Sequence, residues 1–108
     1  LVLKPALARR AEAQLTRHVE ASADGGPAMI VGSILWDGGR LYNVLHVIDG
    51  GAIVATTRKH ELPNYGTFDE KRWFTPGPFP DPIDWRGIRL GLPICEDIWF
   101  PPVCAHLK

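Results

Sequence analysis

Cysteine is scarce in this chain, with two residues in 108, Cys95 and Cys104. Two are too few for a disulfide scaffold, and neither sits in a Cys-x-x-Cys or mixed Cys/His ligand spacing, so a reducing cytoplasm is the default compartment and a structural metal site is not expected. An excess of charge of either sign is also lacking. Twelve basic residues balance twelve acidic ones, which leaves no bulk field to draw nucleic acid or an anionic membrane surface. Recognition has to be local. No apolar run approaches the ~20 residues that cross a bilayer. There is no initiating methionine and no charged-then-apolar leader. The diglycines at 25–26, 38–39 and 50–51 lack the P-loop and G-x-G-x-x-G patterns, which argues against a phosphate cradle.

What is present suits a folded domain. The chain is 45% hydrophobic and 22% charged, near globular averages, and its length allows at most one domain, burying roughly two-thirds of the unfolded surface. Prolines concentrate in Pro76-Gly77-Pro78-Phe79-Pro80-Asp81-Pro82, and the chain stops at Cys104 to Lys108 in what reads as the middle of a helix. The expectation is one partial domain over residues 1–108, truncated at both ends.

Leu3, Leu7, Ala11, Leu15 and Val19 recur every four residues with charged residues between them, which predicts an amphipathic helix with Pro5 in its first turn and Gly25-Gly26 at its end. The apolar run from Ala28 to Trp36 predicts a strand covered on both faces. Leu41 to Ile48 and Ala52 to Thr57 predict two more, joined through Asp37-Gly38-Gly39 and Asp49-Gly50-Gly51, with adjacent antiparallel pairing. The stretch from Glu61 to Pro82 has no steady periodicity, and so long a connection inside a compact domain is expected to frame a site. Trp85 to Leu90 and Gly91 to Ile94 read as two short strands or one bent strand. Cys95-Glu96-Asp97-Ile98-Trp99 then predicts a helix continuing to Leu107.

A cysteine at such a strand-to-helix junction sits where unpaired backbone N–H groups and the helix dipole favour a thiolate and can hold a developing oxyanion. The alternative for Cys95 is a small buried apolar residue. Cys104 has no such context. Lys59 closes an apolar and hydroxylic strand, from which it either projects into a cleft near a nucleophile or rests in solvent. Glu70 either orients that lysine or is an exposed charge beside Lys71 and Arg72. Tyr65 and Trp99 are pocket or core aromatics, and His46 and His60 lack ligand partners at useful spacing.

Together, Lys59-His60-Glu61-Leu62-Pro63-Asn64-Tyr65, Phe68-Asp69-Glu70-Lys71-Arg72-Trp73-Phe74 and Gly91-Leu92-Pro93-Ile94-Cys95-Glu96-Asp97-Ile98-Trp99 resemble the nitrilase superfamily of carbon–nitrogen hydrolases. Within it they look most like the glutaminase (amidotransferase) domains of glutamine-dependent NAD synthetases. The Leu-x-Leu-Lys-Pro start and the stretch from Gly39 to Asn43 extend the resemblance over essentially the whole chain. The resemblance implies an α/β fold, a fragment of a four-layer α/β/β/α sandwich, carrying a Glu-Lys-Cys triad. Cys95 would be the nucleophile, Lys59 the catalytic lysine and Glu70 the auxiliary glutamate. Tyr65 and Trp99 match pocket positions, and Glu96 matches a substrate-contacting acid whose backbone N–H would share the oxyanion with Lys59.

One departure is plain. The family's general-base glutamate lies in a Pro-Pro-Glu-Asp-Leu type segment before the first helix, and this chain starts at Leu1-Val2-Leu3-Lys4-Pro5, a few residues beyond it. The implied reaction is hydrolysis of glutamine, with the ammonia used by an ATP-dependent synthetase domain of the same chain that amidates nicotinic acid adenine dinucleotide. No cofactor is expected in the glutaminase part, ATP and Mg being expected in the absent synthetase domain. A homo-oligomer is expected, and neither nucleic acid nor membrane is an expected partner. The rivals are a nitrilase-type amidase acting on another small amide and a non-catalytic interaction module.

Overall fold

The computed structural model describes residues 5–65, 67 and 69–108. Leu3, first in the predicted apolar stripe, and Phe68 of the aromatic block lie outside them. The predicted helix is α1, Pro5–Ala21, followed by a single 3₁₀ turn, Ser22–Asp24, and ended by Gly25 at φ 82°. Gly25 takes the left-handed conformation that closes a helix without a Cβ clash. The buried Ser22 hydroxyl donates to the Val19 carbonyl at 2.7 Å and accepts the Gly51 N–H at 2.9 Å. That pair of bonds fastens the helix end to the turn between the second and third strands.

Three strands, β1 (Met29–Asp37), β2 (Arg40–Asp49) and β3 (Ala52–Arg58), form an antiparallel meander in that order. Its two hairpins turn on Gly38-Gly39 and Gly50-Gly51, all four at positive φ, as a two-residue turn matched to strand twist requires. Leu41, Val44, Val47 and Ile48 of β2 are buried and form most of the core. Each contributes about 1.5–3 kcal/mol relative to an exposed position.

Helix α1 packs across one sheet face, where Leu7, Ala11 and Leu15 look onto β1 over a shallow groove. On that face His46 lies beside Thr56, with its Nδ1 2.8 Å from the hydroxyl. Strand alternation places Leu45, Asn43 and Thr57 on the opposite face. The expected double cover of β1 is not what forms: Ile30 is 53% and Trp36 44% exposed. Strand alternation turns Ile30 onto the face away from α1, whereas Trp36 borders the groove that Ala8, Arg9 and Glu12 of α1 also line.

Beyond β3 the ladder continues for one bond, Lys59 N–H to the Asn43 carbonyl at 2.8 Å. The long connection carries one helical turn, α2 (Glu70–Trp73), and returns to the sheet end, where Thr75 and Gly77 donate to the carbonyls of Leu41 and Lys59. A small hairpin follows, β4 (Ile83–Trp85) and β5 (Ile88–Leu90), turning at Arg86-Gly87 with both φ positive. Trp85 and Arg86 both donate to Asp49, which ties this hairpin to the end of β2. Those two donors hold the Asp49 carboxyl below the usual aspartate range, Trp85 most strongly.

Three predicted elements change. The strand expected over Trp85 to Leu90 is instead the end of β4, the Arg86-Gly87 turn and β5. Gly91 to Ile94 pairs in no strand among the described residues, with Ile94 extended before the Cys95 turn. The helix predicted from Cys95 to Leu107 is two pieces, a 3₁₀ turn at Cys95–Trp99 and α3 at Pro101–Leu107, separated by Phe100 at φ −106°, ψ 119°. Phe100 precedes proline, whose ring disfavours helical backbone at the residue before it, and Pro101 then opens a new helix where its missing N–H costs nothing.

Candidate active site

Lys59 leaves β3 on the face opposite α1 and is 2% exposed. Burying an ammonium costs several kcal/mol unless it is paired, and the partner is Glu70: Nζ donates to Oε1 at 2.6 Å. The second oxygen of Glu70 accepts from Asn43 Nδ2 at 3.4 Å. Glu70 reaches this position because it opens α2, where its N–H donates to Pro63 and its carbonyl accepts from Phe74. Its neighbours do not hold it: Arg72 pairs instead with Asp69. Asn43 was not singled out from sequence, although it lies across the ladder from Lys59.

Cys95 has φ 50° and, with Arg86, is one of two non-glycine residues at positive φ among those described. A left-handed backbone costs a non-glycine residue roughly 1–3 kcal/mol, and such residues gather at functional sites. The thiol is exposed, so Cys95 is not the small buried residue that was the alternative. The backbone around it differs from the expected strand-to-helix junction, because an unpaired segment leads into a 3₁₀ turn of five residues. Cys104 is exposed too, but its thiol sits on α3 and donates to the Ile98 carbonyl at 3.6 Å.

Glu96 and Asp97 follow Cys95 and are both buried. Glu96 Oε2 has no hydrogen-bond partner among the described residues. The Tyr65 hydroxyl bonds to the Glu96 side chain, and its pKa is raised by desolvation first, then by the Glu96 charge and hydrogen bond and by the nearby Cys95. Tyr65, Cys95 and Glu96 therefore form one cluster. Trp99, at the far end of the turn, is 68% exposed.

Asp97 is fully buried and was not singled out from sequence. Its Oδ1 accepts the backbone N–H groups of His60 at 3.2 Å and Glu61 at 2.7 Å, and its Oδ2 accepts that of Ile94 at 3.0 Å. One carboxylate thus joins the residues just after Lys59 to the residue just before Cys95. His60 stacks on Phe79, and its Nδ1 meets the Gly77 carbonyl at 2.8 Å, which assigns the ring proton to that nitrogen. No cluster of three or more His, Cys, Asp or Glu among the described residues is placed to hold a metal ion.

Residues 4–108 match the carbon-nitrogen hydrolase family. The chain belongs to that family. Among curated carbon–nitrogen hydrolase relatives, the glutamine-dependent NAD(+) synthetase of Rhodobacter capsulatus is 40% identical over 107 residues, covering 99% of this chain and 19% of the relative. That of Thermotoga maritima is 36% identical over 101 residues, covering 94% and 17%. The structure of glutamine-dependent NAD+ synthetase from Acinetobacter baumannii in complex with ADP superposes at a TM-score of 0.86 with 33% identity, over 95% of this chain and 19% of that one. The carbon–nitrogen hydrolase chain described here thus spans about a fifth of the length of these relatives, and its mixed helix and strand architecture matches part of their nitrilase-fold domain. No helix among its described residues is long and apolar enough to cross a membrane.

Proposed function

We propose that the chain carries the nucleophile and the lysine of a glutaminase that supplies ammonia for NAD synthesis. The observation that carries this reading is the buried Lys59–Glu70 pair at 2.6 Å on the sheet end to which the Cys95 turn is fastened. A carboxylate that pairs with Lys59 and aims it gives a fixed positive centre for the oxyanion of an acyl-transfer intermediate. In this mechanism the Cys95 sulfur attacks the side-chain carboxamide carbon of glutamine, and Lys59 and the Glu96 N–H hold the oxyanion. The carbon–nitrogen bond breaks to release ammonia, and water cleaves the glutamyl thioester to glutamate and the free thiol. The proton transfers of both steps need a general base, a role the family resemblance assigns to a glutamate distinct from Glu70 and Glu96. ATP and Mg would act in a synthetase domain.

Glu96 favours glutamine over a simple aliphatic amide. A buried carboxylate oxygen without a partner among the described residues, beside Cys95 and Tyr65, suits the α-ammonium of an amino-acid substrate. The test uses the full-length protein. Ammonia release from glutamine, with little from a short aliphatic amide, is the expected result. Cys95→Ala should abolish that release, and a glutamine-mimicking electrophile should label Cys95. Labelling chiefly at Cys104, or turnover surviving in Cys95→Ala, rejects the reading.

A further inference from the structure

Catalysis of the proposed kind depends on the distance and angle between a nucleophile and an oxyanion-stabilising cation that come from opposite parts of the chain. Lys59 stands at the end of the meander, and Cys95 stands 36 residues later in a short turn whose backbone is strained. The two segments share no strand pairing, since 91–94 joins no sheet among the described residues. What joins them is Asp97. Its two oxygens divide between the segments, one taking the amides of His60 and Glu61 and the other the amide of Ile94. The turn is closed a second time by the Asp97 N–H donating to the Ile94 carbonyl at 3.1 Å. Side chain and main chain of Asp97 therefore both bind Ile94, and these bonds bracket the left-handed residue.

We propose that Asp97 is the positioning residue that sets the Cys95 sulfur against the Lys59 ammonium, by fastening the amides that follow the lysine and the amide that precedes the cysteine to one buried carboxylate. The proposal rests on the reading of Cys95 and Lys59 given above. It requires an acceptor at both oxygens, which the fully buried Asp97 carboxylate supplies. Asparagine has nearly the same shape but one acceptor and one donor. Whichever way its amide is turned, one segment meets an N–H instead of an oxygen, so the fastening fails on one side while the packing volume is kept. Glutamate keeps both oxygens but adds a methylene in a fully buried site. A residue that only stabilised the fold would behave otherwise, since any loss would follow the fraction of folded protein and disappear once activity is expressed per folded molecule.

The experiment is steady-state glutamine hydrolysis by the full-length protein carrying Asp97→Asn, with thermal unfolding and circular dichroism on the same samples. A misplacement on the scale of an ångström between reacting groups is expected to lower kcat roughly 100-fold. The KM for glutamine should change by less than about threefold, because Glu96 and Tyr65 still hold the substrate. Asp97→Glu should not restore kcat. If the asparagine variant does not accumulate folded, Asp97→Ser is used, being smaller and unable to span both segments. Wild-type kcat in a folded Asn or Ser variant overturns the proposal, as does a kcat loss that matches the loss of folded protein. The control is Cys95→Ala. If that variant still turns over glutamine, the functional reading itself has failed, whereas an inactive Cys95→Ala alongside an active Asp97→Asn rejects the positioning role alone.

Discussion

Glu70 shows how much a single side chain can depend on its surroundings. Its sequence neighbours Lys71 and Arg72 suggest an ordinary surface charge, worth about 0–1 kcal/mol in any pair it made. Its actual partner is an ammonium that is 2% exposed, and removing one member of such a pair leaves an uncompensated buried charge, at a cost of about 3–5 kcal/mol. Glu70→Gln keeps the shape and loses the charge, and in the full-length protein it should lower the glutaminase kcat by roughly 100-fold, about 2.7 kcal/mol of transition-state stabilisation. A loss smaller than about threefold would show that the pair does not serve the reaction. His46 gives a prediction in pH. Burial lowers its pKa from 6.5, and its Nε2 is buried without a partner among the described residues, with Arg9 and Glu12 lining the groove on the same side. The unfolded chain thus takes up a proton at a pH where the folded one does not. The stability at stake is fully present above 6.5 and is lost as pH falls from there toward the folded-state value. Urea titrations from about pH 7.5 downward should show the midpoint falling more steeply in the wild type than in His46→Asn, which keeps an acceptor for Thr56 and cannot titrate; parallel curves would contradict the assignment.

Among the elements, the meander was legible because each hairpin signal is local. A diglycine after an aspartate lies between alternating runs, and both glycines are needed at positive φ. The β4–β5 hairpin carries no such mark, since Arg86 takes the left-handed position that sequence rules reserve for Gly or Asn. The split between the Cys95 turn and α3 was written in Phe100-Pro101-Pro102 but was outweighed by the apparent helical run on either side. The connection from Glu61 to Pro82 announced a site by its length and composition. Its docking was not legible, because it rests on close backbone approach. Gly77 donates to the Lys59 carbonyl, and a Cβ added there would stand 2.6 Å from Arg58 Cβ and 3.1 Å from the Arg58 carbonyl oxygen. Gly77→Ala should therefore push this segment off the strand that carries Lys59, costing about 1–3 kcal/mol in urea unfolding of the full-length protein. An unchanged midpoint would mean that the segment yields freely.

For the whole molecule, the blocks that resembled the carbon–nitrogen hydrolases supplied what periodicity could not, namely which distant segments meet. Lys59 and Glu70 do meet. Asp97 stayed hidden because all its partners are main-chain amides, which leave no residue-type signature. The apolar surface is a second property of the whole. Ile30, Trp36, Ile98, Trp99 and Phe100 are each at least 40% exposed, more large apolar side chains than a free-standing domain usually leaves in water. The 108-residue chain alone should self-associate, giving a light-scattering mass that rises with concentration from roughly 1 to 100 μM. A constant monomer mass over that range would show that these faces tolerate water.

Because the amides of His60, Glu61 and Ile94 all end on the Asp97 carboxylate, none can open to solvent without disturbing the bonds of the other two. In a deuterium-exchange experiment on the full-length protein, these three hydrogens should behave as one unit: equally protected, with the same denaturant dependence, although two belong to the end of one hairpin and the third lies more than thirty residues away. Exchange of Ile94 well ahead of His60 and Glu61 would show that the two halves of the site breathe independently.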